Sequence, residues 1–183
     1  MNHHDHVALL RDGIHGGATA DASPPGRPVW ADLGSGGGAF TLALAELLGP
    51  AAVIHSVDRD RGALDAQKYA LGARFPATVV RFHRADFTRP LDLPALDGIV
   101  MANALHFVLE QLPVVRRFRA LLRPGGRMIL VEYDTDRGNH WVPYPLSYPT
   151  WESLARSAGF GATRFLASVP SRFLGAIYSA VSE

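Results

Sequence analysis

The 183-residue sequence contains no cysteine and only one lysine, Lys68. Without cysteine, the chain has no disulfides, no thiolate metal ligands and no cysteine nucleophile. Because Lys68 follows no glycine-rich loop, the lysine of a P-loop is missing as well. The chain also has no excess of either charge, since 18 Lys and Arg residues balance 17 Asp and Glu residues and the net charge is +1. We therefore expect neither nucleic acid nor a membrane surface as a partner.

Long hydrophobic runs are equally absent. No stretch approaches the roughly 18 apolar residues that cross a bilayer, and the N-terminus does not read as a signal peptide. We therefore predict a cytoplasmic protein. The N-terminal histidines His3, His4 and His6 belong to a frayed terminus, and we predict no metal site. With 48% hydrophobic and 19% charged residues, the chain fits one folded domain.

Strand-like and helix-like segments alternate from residue 29 onward, which is typical of parallel strands joined by crossover helices. The predicted strands are 29–33, 53–57, 78–82, 96–102 and 127–133, and the predicted helices are 39–48, 60–71, 113–122 and 150–158. A turn is predicted at 123–126. The runs 162–169 and 172–181 are separated by too short a link for a crossover and must be antiparallel. We predict an α/β fold with a doubly wound, mostly parallel seven-stranded sheet and a C-terminal antiparallel hairpin.

The most informative segment is the glycine-rich loop between the first predicted strand and helix, Asp32–Ala39 (DLGSGGGA). Glycines allow a tight turn and a close approach of ligand to backbone, and the helix N-terminus behind them offers free N–H groups. Read as G-x-G-x-x-A, the loop also meets the dinucleotide fingerprint, with Asp58 at the expected distance of about 20 residues. The loop alone therefore leaves the nature of the ligand open.

Three features favour a cationic nucleoside over a dinucleotide. Asp32 lies two residues before Gly34, where a carboxylate repels a pyrophosphate and attracts an ammonium or sulfonium group. Asp86, which follows the third strand, is placed to accept a hydrogen bond from an exocyclic amine. The Tyr-x-x-x-Lys pair of short-chain reductases is absent, because residue 64 is Leu.

Five segments, in this order, resemble the motifs of class I S-adenosylmethionine-dependent methyltransferases. They are Asp32–Gly38, Val53–Asp58, Ala85–Phe87, Leu96–His106 and Leu121–Arg127. The fourth is similar to its counterpart in ubiquinone/menaquinone-biosynthesis-type small-molecule methyltransferases. The resemblance spans residues 28–181 and implies the Rossmann-like methyltransferase fold, with S-adenosyl-L-methionine as cofactor.

The resemblance also implies roles for the matched positions. Gly34, Gly36 and the adjoining main chain would line the methionine part of the cofactor, and Asp58 would hold the ribose hydroxyls. Asp86 would bind the adenine amine, and Asn103 would line the crevice near the methionine moiety. The full predicted set of cofactor-binding residues is Asp32, Gly34, Ser35, Gly36, Gly38, Asp58, Arg59, Asp86, Phe87 and Asn103.

The acceptor side is predicted around His106, at the open end of the fourth strand. His106 is the candidate general base; where the family often has a second histidine, this chain has Phe107. Acidic and aromatic residues after the fifth strand suggest an apolar acceptor pocket. The predicted acceptor-binding residues are His106, Glu132, Tyr133, His140, Trp141 and Tyr144.

We thus predict direct in-line methyl transfer to a small, partly apolar or aromatic molecule. Two alternatives stay open, namely a non-catalytic S-adenosylmethionine-binding partner subunit and a nicotinamide-dependent oxidoreductase. Residues 1–28 are predicted as a short helix and loop, with Val7–Leu10 forming an amphipathic turn, and residues 29–183 as the cofactor-binding domain. In related enzymes N-terminal elements cover the cofactor, so a segment this brief predicts a partial lid or a lid shared in a homodimer.

Overall fold

The computed structural model describes residues 1–15 and 26–183. The helices are α1 (His3–His15), α2 (Ala39–Leu48), α3 (Arg61–Arg74), α4 (Gln111–Leu121) and α5 (Tyr148–Ala158). The strands are β1 (Val29–Leu33), β2 (Val53–Asp58), β3 (Val79–Arg84), β4 (Leu96–Ala102), β5 (Leu122–Tyr133), β6 (Thr163–Ser171) and β7 (Gly175–Ser182). They form one seven-stranded sheet in the order β3-β2-β1-β4-β5-β7-β6.

The pairing confirms the predicted α/β architecture. β1 to β5 are parallel, and β7 runs antiparallel to both β5 and β6. The carboxyl ends of the five parallel strands consequently meet at one edge of the sheet, where open α/β sheets bind their ligands. The β6–β7 turn reaches the same edge, because Tyr133 at the end of β5 pairs with Ile177 near the start of β7.

Both faces of the sheet are covered by apolar side chains. On one face, Phe118 of α4 and Trp151 of α5 pack with Ile99 of β4 in a fully buried cluster. On the other face, Leu9 of α1 and Leu44 of α2 pack with further strand residues. Apolar residues on both faces explain why the central strands read as continuous hydrophobic runs.

Several element boundaries differ from the prediction. α3 continues past residue 71, its predicted end, to Arg74. The predicted turn at 123–126 lies inside β5, because Leu122 already pairs with Leu96 before the register shifts to the Gly98–Arg127 pair. α5 begins at Tyr148, two residues before its predicted start, because the backbone N–H of Tyr148 donates to Asp134 Oδ1 at 2.9 Å.

The N-terminal segment is more substantial than predicted. α1 has 13 residues, and its buried side chains include Val7, Leu9 and Leu10. It packs against α2 and the strands β5 to β7, and His3 Nε2 lies 2.7 Å from Glu46 Oε2. Most of the predicted loop at 15–28 falls on residues 16–25, outside the described residues, and the lid stays a prediction. In the described ranges, none of the helices combines the length and apolar character needed to cross a membrane.

Candidate active site

The glycine loop after β1 is held tightly on one side and open on the other. The N–H groups of Gly34 and Ser35 donate to the Val57 carbonyl at 2.9 and 3.1 Å. Gly34 has a φ of 74°, and a Cβ there would lie 2.7 Å from Ala104 Cβ. Gly36 has a φ of 49°, but a Cβ there would meet no atom of the described residues within 4 Å. The loop therefore has a fixed backbone whose exposed side a ligand can approach closely.

Asp58, at the end of β2, links its strand to the glycine loop. Its Oδ2 accepts a hydrogen bond from the Gly36 N–H at 2.7 Å, and its Oδ1 accepts one from the Asp60 N–H at 2.8 Å. A carboxylate has about four acceptor positions. Two acceptor positions of Asp58 therefore remain, which is the number that its predicted role toward the ribose hydroxyls requires. Arg59 follows it on the exposed surface.

Asp32 is almost completely buried, with 1% of its surface exposed. The Thr41 hydroxyl donates a hydrogen bond to Asp32 Oδ2 at 2.6 Å. Burial raises the pKa of Asp32 from 3.8 to about 7, and the charge of Asp58 contributes to the rise. A neighbouring cation would stabilise the ionised form, so the site favours a positively charged ligand.

The segment after β3 carries the two predicted adenine contacts. Asp86 is exposed, and its Oδ1 accepts from both the hydroxyl and the backbone N–H of Thr88, at 2.7 and 2.8 Å. These hydrogen bonds lower the pKa of Asp86 and keep it ionised. The Phe87 ring lies close to Gly34, 3.1 Å from where a Cβ would stand. The Ala85 N–H donates to the Asp58 carbonyl at 3.0 Å, so Asp58 and Asp86 lie on adjoining loops.

Asn103 follows β4 in a conformation that non-glycine residues rarely adopt. In the part of the chain that the structure describes, it is the one non-glycine residue with a positive φ, at 49°. Such a backbone typically costs about 1–3 kcal/mol and occurs preferentially at functional sites. The Asn103 Oδ1 is buried and has no hydrogen-bond partner among the residues that the structure describes. An unpartnered acceptor at the ligand-binding edge fits a donor such as an ammonium group.

His106 and Glu132 form a buried pair beside this crevice. His106 is 3% exposed and Glu132 is fully buried. The His106 Nδ1 lies 2.8 and 3.0 Å from the two carboxylate oxygens of Glu132. The carboxylate also accepts from the backbone N–H groups of His106 and Tyr133, at 3.3 and 3.2 Å. Within the described residues, the His106 ring forms hydrogen-bond contacts through Nδ1 alone, which leaves Nε2 for another partner.

The predicted aromatic residues lie at different distances from this pair. The Tyr133 ring is 5.9 Å from the His106 ring, and the Tyr144 N–H donates to the His106 carbonyl at 3.0 Å. His140 and Trp141 pack against each other farther along the loop, with Trp141 70% exposed. The structure thus brings Tyr133 and Tyr144 to His106 and leaves the other two on the outer part of the loop. Glu132 contacts His106 and has no exposed surface for an acceptor.

Two parts of the site escaped the sequence-based prediction. One is a buried polar cluster in which Thr41, Ser56 and Gln67 surround Ser35, a residue that was itself predicted. The sequence feature that could have identified Gln67 is a polar side chain at an inward-facing position of a helix. The other is Phe173 in the β6–β7 turn, whose ring is 6.0 Å from that of Tyr133. No local sequence pattern predicts a role for Phe173, because its position in the site depends on the hairpin reaching the ligand-binding edge of the sheet. Within the described residues, no three His, Asp or Glu side chains group as metal ligands.

Comparison with known proteins gives a consistent family. A family model described as a methyltransferase domain matches residues 31–128, which include the glycine loop and His106. The chain is 29% identical over 101 residues to a highly reducing polyketide synthase of Calcarisporium arbuscula, covering 44% of this chain and 4% of that protein. It is 24% identical over 101 residues to the demethylmenaquinone methyltransferase of Geobacillus sp. (strain WCH70), covering 55% of this chain and 43% of that enzyme.

A solved structure agrees with the fold. The crystal structure of the DszA carbon methyltransferase superposes with a TM-score of 0.72 and 18% identity, covering 93% of this chain and 50% of that one. At this identity the likeness concerns the fold. Our chain spans only a small part of the polyketide synthase and less than half of the menaquinone enzyme.

Proposed function

Because the chain belongs to the class I S-adenosylmethionine-dependent methyltransferases, we propose that it methylates a small, partly apolar acceptor from which His106 removes a proton. S-adenosylmethionine is the cofactor of this family, and the site fits it. The unpartnered Asn103 Oδ1 suits the ammonium group, the buried Asp32 suits a positive charge, and Asp58 suits the ribose. When bound, the cofactor supplies an electrophilic methyl group on a sulfonium.

The observation that carries the proposal is the contact between His106 Nδ1 and the buried Glu132 carboxylate, at 2.8 Å. The carboxylate accepts a hydrogen bond from Nδ1–H, which keeps the proton on Nδ1 and leaves the Nε2 lone pair free to act as a base. When Nε2 takes a proton, Glu132 stabilises the imidazolium that forms. Glu132 is therefore a positioning residue, and His106 is the proposed catalytic residue.

A base of this kind indicates the chemistry of the acceptor. An acceptor that already carries a free lone pair, such as a thioether or a tertiary amine, needs no proton removal. A hydroxyl or an activated carbon does. In the proposed step, the acceptor proton passes to His106 Nε2, the acceptor oxygen or carbon bonds to the methyl carbon, and the carbon–sulfur bond breaks with its electron pair remaining on sulfur.

The surface around His106 supports an apolar acceptor. Phe107 and Phe173 are 61% and 50% exposed, and their rings lie 4.2 Å from the His106 ring and 6.0 Å from the Tyr133 ring, respectively. Exposed apolar side chains grouped beside a polar catalytic pair are typical of sites that bind apolar small molecules. The DszA carbon methyltransferase, named for carbon methylation, shares the fold. Carbon and hydroxyl acceptors are accordingly the two classes we propose.

The test measures S-adenosylhomocysteine formation with a panel of phenols, enols and 1,3-dicarbonyl compounds. For any compound that turns over, we expect His106→Gln to lower kcat at least 100-fold while the Kd for S-adenosylmethionine changes less than threefold. His4→Gln, at an exposed position, is the matched control. A His106→Gln variant with undiminished kcat would contradict the proposed base. Cofactor binding without turnover of any compound would favour the non-catalytic partner subunit.

A further inference from the structure

Gln67 occupies a position on α3 that periodicity assigns to an apolar side chain. Its neighbours on the inward stripe of the helix are Leu64 and Leu71, which are 5% and 4% exposed. Gln67 itself has no exposed surface. A buried primary amide is costly unless its donors and acceptor are paired, so its partners indicate why it is tolerated.

Every hydrogen bond of the Gln67 amide is directed at the loop or at the residues beneath it. The Nε2 donates to the Ser35 hydroxyl at 2.8 Å and to the Gly36 carbonyl at 2.5 Å. The Oε1 accepts from the Ser56 hydroxyl at 2.8 Å and lies 3.2 Å from the Thr41 hydroxyl. Because a carbonyl oxygen only accepts, the amide nitrogen must face Gly36, and the orientation of the amide is fixed.

The aliphatic part of Gln67 also shapes the loop. Gly38 has a φ of 83°, and the space that a Cβ would take there is filled by Gln67 Cγ. Gly36 is held from both ends, since Asp58 accepts its N–H and Gln67 donates to its carbonyl. Its Cα side remains open. The two side chains therefore define the backbone of the loop where a ligand would lie against it.

We propose that Gln67 is the positioning residue of the cofactor loop: its amide fixes the Gly36 peptide in the conformation that binds S-adenosylmethionine. A loop already held in its binding conformation loses less entropy on binding, so removal of the amide weakens affinity without touching the ligand. This inference rests on the proposed placement of the cofactor at the glycine loop.

The experiment compares Gln67→Met with Leu71→Ala by calorimetric titration with S-adenosylmethionine and S-adenosylhomocysteine. Methionine keeps the length of the side chain and removes every hydrogen bond. We expect the Kd of both compounds to rise at least tenfold. Leu71→Ala, a core truncation on the same helix, lowers the midpoint of thermal unfolding but leaves both Kd values within twofold. Amide hydrogen exchange should accelerate in peptide 33–40 of Gln67→Met and not of Leu71→Ala.

Gln67→Glu provides a second, nearly isosteric variant. It retains an acceptor for Ser56 but places a carboxylate oxygen against the Gly36 carbonyl, so at pH 8 its Kd should also rise at least tenfold. If the wild-type protein binds both compounds and the folded Gln67 variants bind them equally well, the positioning role is wrong and the proposed function stands. If the wild-type protein binds neither compound, the proposed function and this inference both fail.

Discussion

At the scale of single residues, Asp32 is a buried carboxyl group at the site proposed to bind the positively charged cofactor. Its pKa of about 7 means that the carboxyl is half protonated near neutral pH in the free protein. A bound cation favours the ionised form, so binding below this pH releases a proton. Affinity for S-adenosylmethionine must then rise with pH and level off above the pKa.

We expect the Kd for S-adenosylmethionine to be about tenfold higher at pH 6 than at pH 8, measured by calorimetry. Titrations at pH 6.5 in two buffers of different ionisation enthalpy should reveal the released proton. Asp32→Asn cannot titrate, so it should bind more weakly than the wild type at pH 8 and lose most of the pH dependence. A wild-type Kd that is constant over this pH range would show that ligand binding is not coupled to the ionisation of Asp32.

Asn103 illustrates how little of such detail is visible in a sequence. Its position after β4 was predicted from the resemblance, but its positive φ and its buried, unpartnered Oδ1 were not. Both depend on how the backbone leaves the strand, where the Asn103 N–H donates to the Val131 carbonyl at 2.8 Å. That contact joins residues far apart in the chain, so no local pattern encodes it.

At the scale of elements, the outer strands β2 and β3 share a histidine pair. The His55 Nδ1 lies 2.9 Å from the His83 Nε2, and the rings stack with centroids 5.0 Å apart. Burial, with His83 and Arg81 nearby, lowers the pKa of His55 from 6.5 to about 4. Burial also lowers the pKa of His83. Below pH 6.5 the two histidines therefore bind protons in the unfolded chain but remain largely neutral in the folded protein.

We accordingly expect acid to destabilise this part of the sheet. As the pH falls from 6.5 to 4, His55 should contribute a loss of about 1–3 kcal/mol in the free energy of unfolding. Urea unfolding of wild type and His55→Gln at several pH values measures this contribution as the difference between the two curves. The subtraction also removes Asp32, whose raised pKa acts in the opposite sense and destabilises the fold as the pH rises from about 4 to 7. Parallel curves would exclude the histidine pair as the acid-sensitive element.

The β6–β7 hairpin extends to the acceptor side of the site. Phe173 at its tip is half exposed and contacts Tyr133, which in turn lies beside His106. We expect Phe173→Ala to raise the KM for an apolar acceptor three- to tenfold while the Kd for S-adenosylmethionine stays the same. Phe165→Ala, which truncates another partly exposed phenylalanine of the hairpin, is the matched control. A change in cofactor affinity instead would place Phe173 in a different role.

The elements themselves were largely predictable where local chemistry decides their limits. α2 and β4 have the predicted bounds, because glycines, a proline and a continuous apolar run mark their ends. α3 continues through the exposed residues 72–74 and ends where the Phe75 N–H donates to the Leu71 carbonyl at 2.7 Å, a hydrogen bond that the sequence does not reveal. For α1 the sequence predicts only a short helix, in which Val7–Leu10 form an amphipathic turn with Ile14. Its burial against α2 and the strands β5 to β7 stabilises a much longer helix.

At the scale of the whole molecule, the site is assembled by strand order. The spacing of the glycine loop, Asp58 and Asp86 predicted a nucleoside site, because each follows a parallel strand and such ends converge. The pairing of His106 with Glu132 depends instead on β4 and β5 being neighbours, as in the Ala102–Val131 register. Gln67 requires α3 to pack over the loop. Contacts within one strand-to-helix connection were therefore predictable, whereas those between elements required the fold.

The position of β7 has a consequence for synthesis on the ribosome. β7 follows the six other strands in the chain but lies in the interior of the sheet, between β5 and β6. Until residues 175–182 leave the exit tunnel, the nascent chain presents the backbone of β5 as an unpaired edge, which is the kind of surface that invites aggregation. Chaperone capture of the emerging polypeptide should accordingly persist until this strand is inserted, and cease once it is.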